Sequence, residues 1–507
     1  MVHKRLVLLP ALCVAFLIAP RPVPAQNVTD FASGLKAPVK VTFTPGGNLV
    51  VSEGGTGPNT GRVSLVRRDG TRVTILDGLP SGLSVVGGNA PSGPSGMEPL
   101  GDAWYLVIGA GDESLPGTSP GAEVPNPNVS SPILSSVLKL RFSATIDTTF
   151  GNFNLTPAQH AALKAGTELV INNPAGESLR ISLLVDFPDL IGPRSSNPFG
   201  IQAFGTRLYV VDASQNAIQS VDPTNGTYQT IASFAPLTNP APPPPAVDAV
   251  PDSIRLLNSG FLVSFLTGFP FTPGLAEVRR VDPLTGASSQ LIGGLNSAID
   301  VLPVAGGPDQ YLVLEFSTNQ LLNAPGRLLY YSAPASTGAP PLGPPTVAAT
   351  GLITPTSMAL DRTARELFVT ELATGKIRKV SLGGVITPLP CAPGSNTICL
   401  NGGRFQVRAT WLSATSSGVG TPVQLTDTTG HFWFFSPDNV EVFVKVVRGC
   451  AFNSRFWVFA GGMTNVQVTL TVTDTQTGDV KTYVNPFNTP FAPIQDTAAF
   501  GGCPVSF

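Results

Sequence analysis

One short unit recurs along residues 28 to 390 of this 507-residue chain. It consists of an apolar strand ending on a polar or small residue, a turn, and a second alternating strand that opens on glycine or another small side chain. Six copies of the first strand follow one another: Leu49-Val50-Val51-Ser52-Glu53, Tyr105-Leu106-Val107-Ile108-Gly109, Leu208-Tyr209-Val210-Val211-Asp212, Phe261-Leu262-Val263-Ser264-Phe265, Tyr311-Leu312-Val313-Leu314-Glu315 and Leu367-Phe368-Val369-Thr370-Glu371. The companion strand is clearest at Gly61-Arg62-Val63-Ser64-Leu65-Val66 and Gly375-Lys376-Ile377-Arg378-Lys379-Val380. Alternation of this kind between turn residues marks a strand. A four-stranded sheet cannot cover both of its faces alone, so the copies must pack on one another, and closing the ring removes most exposed edges. The expected fold is all-β: a six-bladed β-propeller at 28–390, one blade per copy.

Composition agrees. Only 12% of residues are charged, while 53 Gly and 50 Pro favour short strands and many turns over long surface helices. A formal charge of −2 supplies no basic field for counterion release, so nucleic acid is not an expected partner.

The spacing between copies is uneven, and the widest gap, between the second and third, predicts an insertion at about 143–190. Within it, Thr156-Pro157 is a helix start, with Thr as N-cap and Pro in the first turn; the helix carries His160 and should stop at Gly166. Two Pro-rich stretches, Asn239 to Val247 and Ala333 to Thr346, read as extended loops over a rim.

The first 25 residues have the parts of an export signal: Lys4 and Arg5, an apolar run from Leu6 to Ala19, and Val23-Pro24-Ala25 with cleavage expected after Ala25. The run is shorter than the roughly 20 residues of a spanning helix. Secretion to periplasm or medium follows, with no membrane attachment after cleavage, and a monomer is expected. Four cysteines then remain, all late in the chain. They permit three pairings, of which Cys391–Cys399 with Cys450–Cys503 is the expected one, the first pair closing a short loop. From Cys391 to residue 507, long aromatic-rich alternating strands predict a small disulfide-bonded β-sandwich. Trp411, Trp433 and Trp457 belong to it; they are expected to fill its core, with stacking on sugar rings as the alternative.

Aligning the six strands puts their last residues at equivalent points near one end of the propeller, close to the channel. Four are acidic: Glu53, Asp212, Glu315 and Glu371. Carboxylates converging on a channel repel unless neutralised; the expected reading has each acid satisfied by backbone amides and nearby Arg or Lys, and the alternative has Ca²⁺ held by these four. His160 and His431 fall outside the blade repeats, which leaves no histidine base in the channel. Asp112-Glu113 is a further acid pair in a loop.

Ser196-Asn197-Pro198-Phe199-Gly200, Leu266-Thr267-Gly268-Phe269-Pro270-Phe271 and Val51-Ser52-Glu53-Gly54-Gly55 resemble the ScyD/ScyE family of exported propellers over about residues 28–390. The resemblance implies the propeller fold and carries no assigned activity. The chain departs from the family's pattern at Phe265, where an acid is usual, and at Ser95-Gly96, where a His-Asp pair is usual. The region behind the propeller is similar to C-terminal β-domains of other exported soil-bacterial proteins. Two functions are open: a non-catalytic binding or scaffold protein for a protein, glycan or small molecule, and a lactonase-like metal-dependent hydrolase or pigment-maturing enzyme using the acidic channel.

Overall fold

A computed structural model describes residues 28–501 apart from 45, 120, 190–193, 258–259, 305–309, 333–343, 362–364, 383–390, 392 and 476–478. The expected signal peptide, part of the second Pro-rich stretch and Cys503 lie outside these residues.

Among the described residues, six antiparallel sheets follow one another along the chain, each built from the recurring unit. The first runs Pro38–Phe43, Leu49–Glu53, Gly61–Val66, Arg72–Leu79 from inside outward, and Phe153–Asn154 adds a parallel edge. The second has Pro94–Leu100, Ala103–Ile108, Ser136–Phe142, Ser178–Asp186 and Leu169–Asn172. The next three begin at Pro198–Phe204, Ala249–Leu257 and Ala298–Pro303. The sixth, starting at Pro355–Asp361, takes its outermost strand from the other end of the chain: Val28–Ala32 pairs with Lys376–Ser381 in the register Val28 to Val380. The innermost strands touch in order, and the sixth touches the first, so the ring closes.

Each neighbouring pair of sheets encloses its own apolar cluster. Val50, Leu65 and Ile75 pack with Leu106 and Leu138 between the first two sheets. Val41 and Val51 pack with Phe368 and Ile377 between the first and the sixth. The second strand of every sheet is therefore covered on both faces, as in Leu49–Glu53, where all five residues are buried. A strand buried on both faces reads as a continuous apolar run, which is why these six were the most visible in the sequence.

Outer turns lock neighbouring sheets together. In Asp222-Pro223-Thr224-Asn225-Gly226, the backbone N–H of Gly226 donates to the Asp222 carbonyl at 2.9 Å, and Gly226 has φ +74°. A Cβ there would stand 1.9 Å from the carbonyl oxygen of Leu184 in the preceding sheet. Gly286 repeats the arrangement against Ile231. Only glycine accepts both the backbone angle and the approach.

The insertion contains the expected helix, Pro157–Lys164, with Thr156 and Gln159 forming a reciprocal capping box. His160 is a core residue of this helix. Its Nε2 is 2.9 Å from the Gly78 carbonyl, its Nδ1 is 3.2 Å from Ser131 Oγ, and burial lowers its pKa.

Beyond the ring, two further five-stranded sheets share one core. Phe405, Val407, Val468 and Leu470 come from one sheet, and Phe432, Val442, Val444 and Phe456 from the other. Phenylalanine fills this core. Trp411 follows Phe405, Val407 and Ala409 on the inward face and packs half-buried against the core, as expected. Trp433 and Trp457 are half-buried on outward positions of their strands, a correction to the expectation that they form the core. Strand alternation explains it: Trp433 lies between buried Phe432 and Phe434, so its side chain takes the opposite face.

Candidate functional site

In an antiparallel sheet the loops that follow the second and fourth strands emerge at the same end. Around this ring those loops form one face, and the four strand-end acids lie directly beneath it. Glu53 accepts from the backbone N–H of Lys36 and from Arg62 Nε at 2.9 Å. Asp212 accepts from Ser196 Oγ and from the backbone N–H groups of Asn197, Ser214 and Gln215 at 3.0, 3.2 and 3.0 Å. Glu315 accepts from the Asn296 N–H at 2.7 Å and from Arg327 Nε. Glu371 accepts from the Ile353 N–H at 2.8 Å and Thr374 Oγ1 at 2.8 Å, with Arg378 at 3.6 Å.

The pattern repeats. Each acid fastens the loop that enters its own inner strand, and three of the four also hold an arginine of the third strand. Burial raises the Asp212 carboxyl above the usual range, and its donors oppose the shift. The second strand lies one strand spacing, about 4.8 Å, behind the inner strand, and these carboxylates turn toward loop and third strand rather than toward the axis. Among the described residues no three His, Cys, Asp or Glu side chains come together as metal ligands. With their oxygens filled by N–H donors and with Arg62, Arg327 and Arg378 beside them, Glu53, Asp212, Glu315 and Glu371 do not make a donor set that fits Ca²⁺.

The channel itself is lined by inner-strand residues that the sequence reading passed over. Every inner strand carries a register shift near its start, at Pro38/Lys40, Pro94/Met97, Pro198/Ile201, Pro251/Ile254, Ala298/Asp300 and Pro355/Ser357. Following this register, Lys40, Gly96, Gly200, Ser253, Asp300 and Ser357 occupy equivalent places, and Thr42, Glu98, Gln202 and Arg255 lie one pleat further in. Arg255 grips Asp300 with Nε to Oδ1 at 3.1 Å and a terminal nitrogen to Oδ2 at 2.6 Å, and it also reaches the Met358 carbonyl at 3.2 Å. Burial alone would raise the Asp300 carboxyl; Arg255 and Lys40 outweigh it and hold it low.

Glu98 accepts from Gln202 Nε2 at 2.7 Å and from the Ala203 N–H at 3.2 Å, and desolvation pushes it up to about 7. Asp252, whose Oδ2 accepts from the Leu266 N–H at 3.0 Å, is pushed up by burial to about 8. One sequence signal could have found this set. Prolines 38, 94, 198, 251 and 355 each stand opposite the end of a second strand, so counting two and four residues past each reaches the channel wall.

The loop face is apolar where it meets solvent. Phe269 is 70% exposed, Leu322 is 76% exposed, and Val86, Val124, Leu321 and Ile353 are exposed in loops of the same end. The Thr267-Gly268-Phe269-Pro270-Phe271 run belongs here. The Gly268 N–H donates to the Asp248 carbonyl at 3.0 Å, and Thr272 Oγ1 donates to Asn239 Oδ1 at 3.0 Å. That second bond ties the run to the first Pro-rich stretch, which is a hairpin of Leu237–Thr238 with Ala246–Val247. Glu113 of the loop acid pair is also buried on this side; burial pushes it up to about 8, and its Oε2 accepts from Ser135 Oγ at 2.6 Å. The β-sandwich approaches the other end: a cavity of about 190 Å³ is bounded by Phe204, Pro283 and Leu284 on one side and by Trp411, Val419 and Gln467 on the other.

Sheets ringed about a channel, closed by a strand from the far end of the chain, define a β-propeller. No family model and no curated protein matches the chain. Among solved structures it is similar to a putative oxidoreductase (glucose dehydrogenase) of Thermus thermophilus, at 15% identity over 70% of this chain and 99% of that one, TM-score 0.40. It is also similar to virginiamycin B lyase of Staphylococcus aureus, at 13% identity over 70% and 99%, TM-score 0.34. A third is the PQQ-bound aldose sugar dehydrogenase of Streptomyces coelicolor, at 14% identity over 71% and 98%, TM-score 0.32.

Proposed function

We propose that this chain is an exported, six-bladed, ScyD/ScyE-like β-propeller at 28–390 that works by binding through its loop face, with a disulfide-bonded β-sandwich at 391–507 behind it. The observation that carries the reading is the pairing of exposed apolar loop tips, Phe269 and Leu322 foremost, with a floor that buried carboxylates fasten. Apolar side chains held out on rigid supports favour a ligand with an apolar or aromatic surface, on a protein, a glycan or a small molecule. Export is supported by the three-part leader at 1–25 and by Cys391 and Cys399, whose Cα atoms lie 5.6 Å apart, a separation that suits a disulfide; Cys450–Cys503 completes the proposed pairing. The protein acts as a monomer.

The hydrolase reading, lactonase-like or pigment-maturing, needs free carboxylates on the axis, and these four are occupied. The test is to probe peptide and glycan arrays and a panel of aromatic small molecules with the mature protein and with a Phe269→Ser, Leu322→Ser double variant. Both side chains are exposed, so the variant should fold normally and lose affinity at least about tenfold. Binding unchanged in the variant would move the site off this face, and lactone turnover by the wild type would overturn the reading.

A further inference from the structure

Inside the channel lies a cavity of about 30 Å³, with Lys40, Glu98 and Arg255 among its walls. It has room for one or two water-sized particles. Lys40 is nine-tenths buried, and no hydrogen-bond acceptor reaches its Nζ among the described residues. The Phe199 ring lies 4.7 Å from Nζ and favours the charged amine, but a ring face does not take its three N–H bonds. The other channel charges have partners: Arg255 with Asp300, Asp252 with the Leu266 N–H, Glu98 with Gln202 and Ala203. A buried ammonium beside a cavity and without an acceptor is costly until something accepts its protons.

We propose that this cavity binds one small monovalent anion of chloride size, paired with Lys40 Nζ. Sulfate, larger and doubly charged, is excluded by size. The charge balance agrees. Burial raises Glu98 to about 7 and raises Asp252 as well, which favours their neutral forms in mildly acid solution and leaves Lys40 and Arg255 against Asp300, two positive charges to one negative. The anion cancels the excess. As pH rises, Glu98 and Asp252 ionise and compete with the anion for the Lys40 charge, while burial favours loss of the Lys40 proton; each change weakens the hold on the anion. The inner strands of the third and sixth sheets add Gly200, Gln202 and Ser357 at these levels, none of which titrates. This site is independent of the loop face.

The test is thermal unfolding in sodium chloride or bromide against sodium sulfate at equal ionic strength. At about pH 6 the wild type should show a saturable rise in Tm of a few degrees above the sulfate control, fading by about pH 9. Lys40→Met should lose the rise, and Glu98→Gln, which keeps Lys40 and cannot ionise, should extend it to higher pH. Chloride indistinguishable from sulfate in the wild type, or a response retained in Lys40→Met, overturns the proposal. Should Lys40→Met fail to fold, a Glu98→Gln response identical to the wild type at every pH overturns it equally.

Discussion

Arg62 and Glu53 meet as a two-pronged ion pair, Nε to Oε1 at 2.9 Å and a terminal nitrogen to Oε2 at 2.6 Å, with both side chains buried. The geometry is good enough to offset desolvation only while both partners are present. Arg62→Met leaves the Glu53 carboxylate buried with Ser64 and the Lys36 N–H as its donors. It should cost about 3–5 kcal/mol in urea unfolding. Adding Glu53→Gln to Arg62→Met should recover part of that loss, and a double variant as unstable as the sum of the singles would show that the two groups do not act as a pair.

The same view of the acids makes a prediction about metal. If Glu53, Glu315 and Glu371 are structural clamps, stripping the purified protein with a chelator should leave Tm unchanged, and added Ca²⁺ should not raise it. A stoichiometric bound ion, lost in Glu371→Gln, would contradict the clamp assignment.

Which parts of this molecule were legible follows from how each strand is buried. The second strands lie between two neighbouring sheets and show as unbroken apolar runs, so the repeat and the acids closing it could be read directly. The inner strands could not, because one face packs and the other lines a polar channel: Lys40, Glu98, Arg255 and Asp300 interrupt the apolar pattern that identifies a strand. The acids were placed at the correct strand ends, but the sequence holds no record of where a terminal side chain turns. That direction is set by the bulge opposite it and by an amide of the loop that enters the inner strand, as with Asn296 and Glu315. In the β-sandwich, aromatic content located the strands, but assigning Trp433 to a face required the register.

Gly226 offers a test of how the sheets are locked. Gly226→Ala combines a left-handed backbone angle with a Cβ 1.9 Å from the Leu184 carbonyl oxygen. Gly294, with φ +74° and open space around its Cβ position, isolates the backbone term alone. Gly294→Ala should cost about 1 kcal/mol, and Gly226→Ala clearly more, about 3 kcal/mol, because the neighbouring sheet must move. Equal losses in equilibrium unfolding would mean that the turn does not bear on Leu184.

Glu98 makes stability depend on pH with a definite sign. Its folded pKa of about 7 lies above the ordinary 4.5, so between those values the folded protein keeps a proton that the unfolded chain has released. Stability therefore falls as pH climbs through that window and levels off above it. Glu98→Gln keeps an oxygen to accept from Gln202 Nε2 and the Ala203 N–H but has no proton to hold. The variant should gain on the wild type with rising pH, by about 1–2 kcal/mol at pH 7.5 relative to pH 4.5 after allowing for the partial solvent contact of Glu98. Urea unfolding at the two pH values measures it. A difference between wild type and Glu98→Gln that does not change with pH would place the Glu98 titration outside this window and would mean that the channel is wetter than its packing indicates.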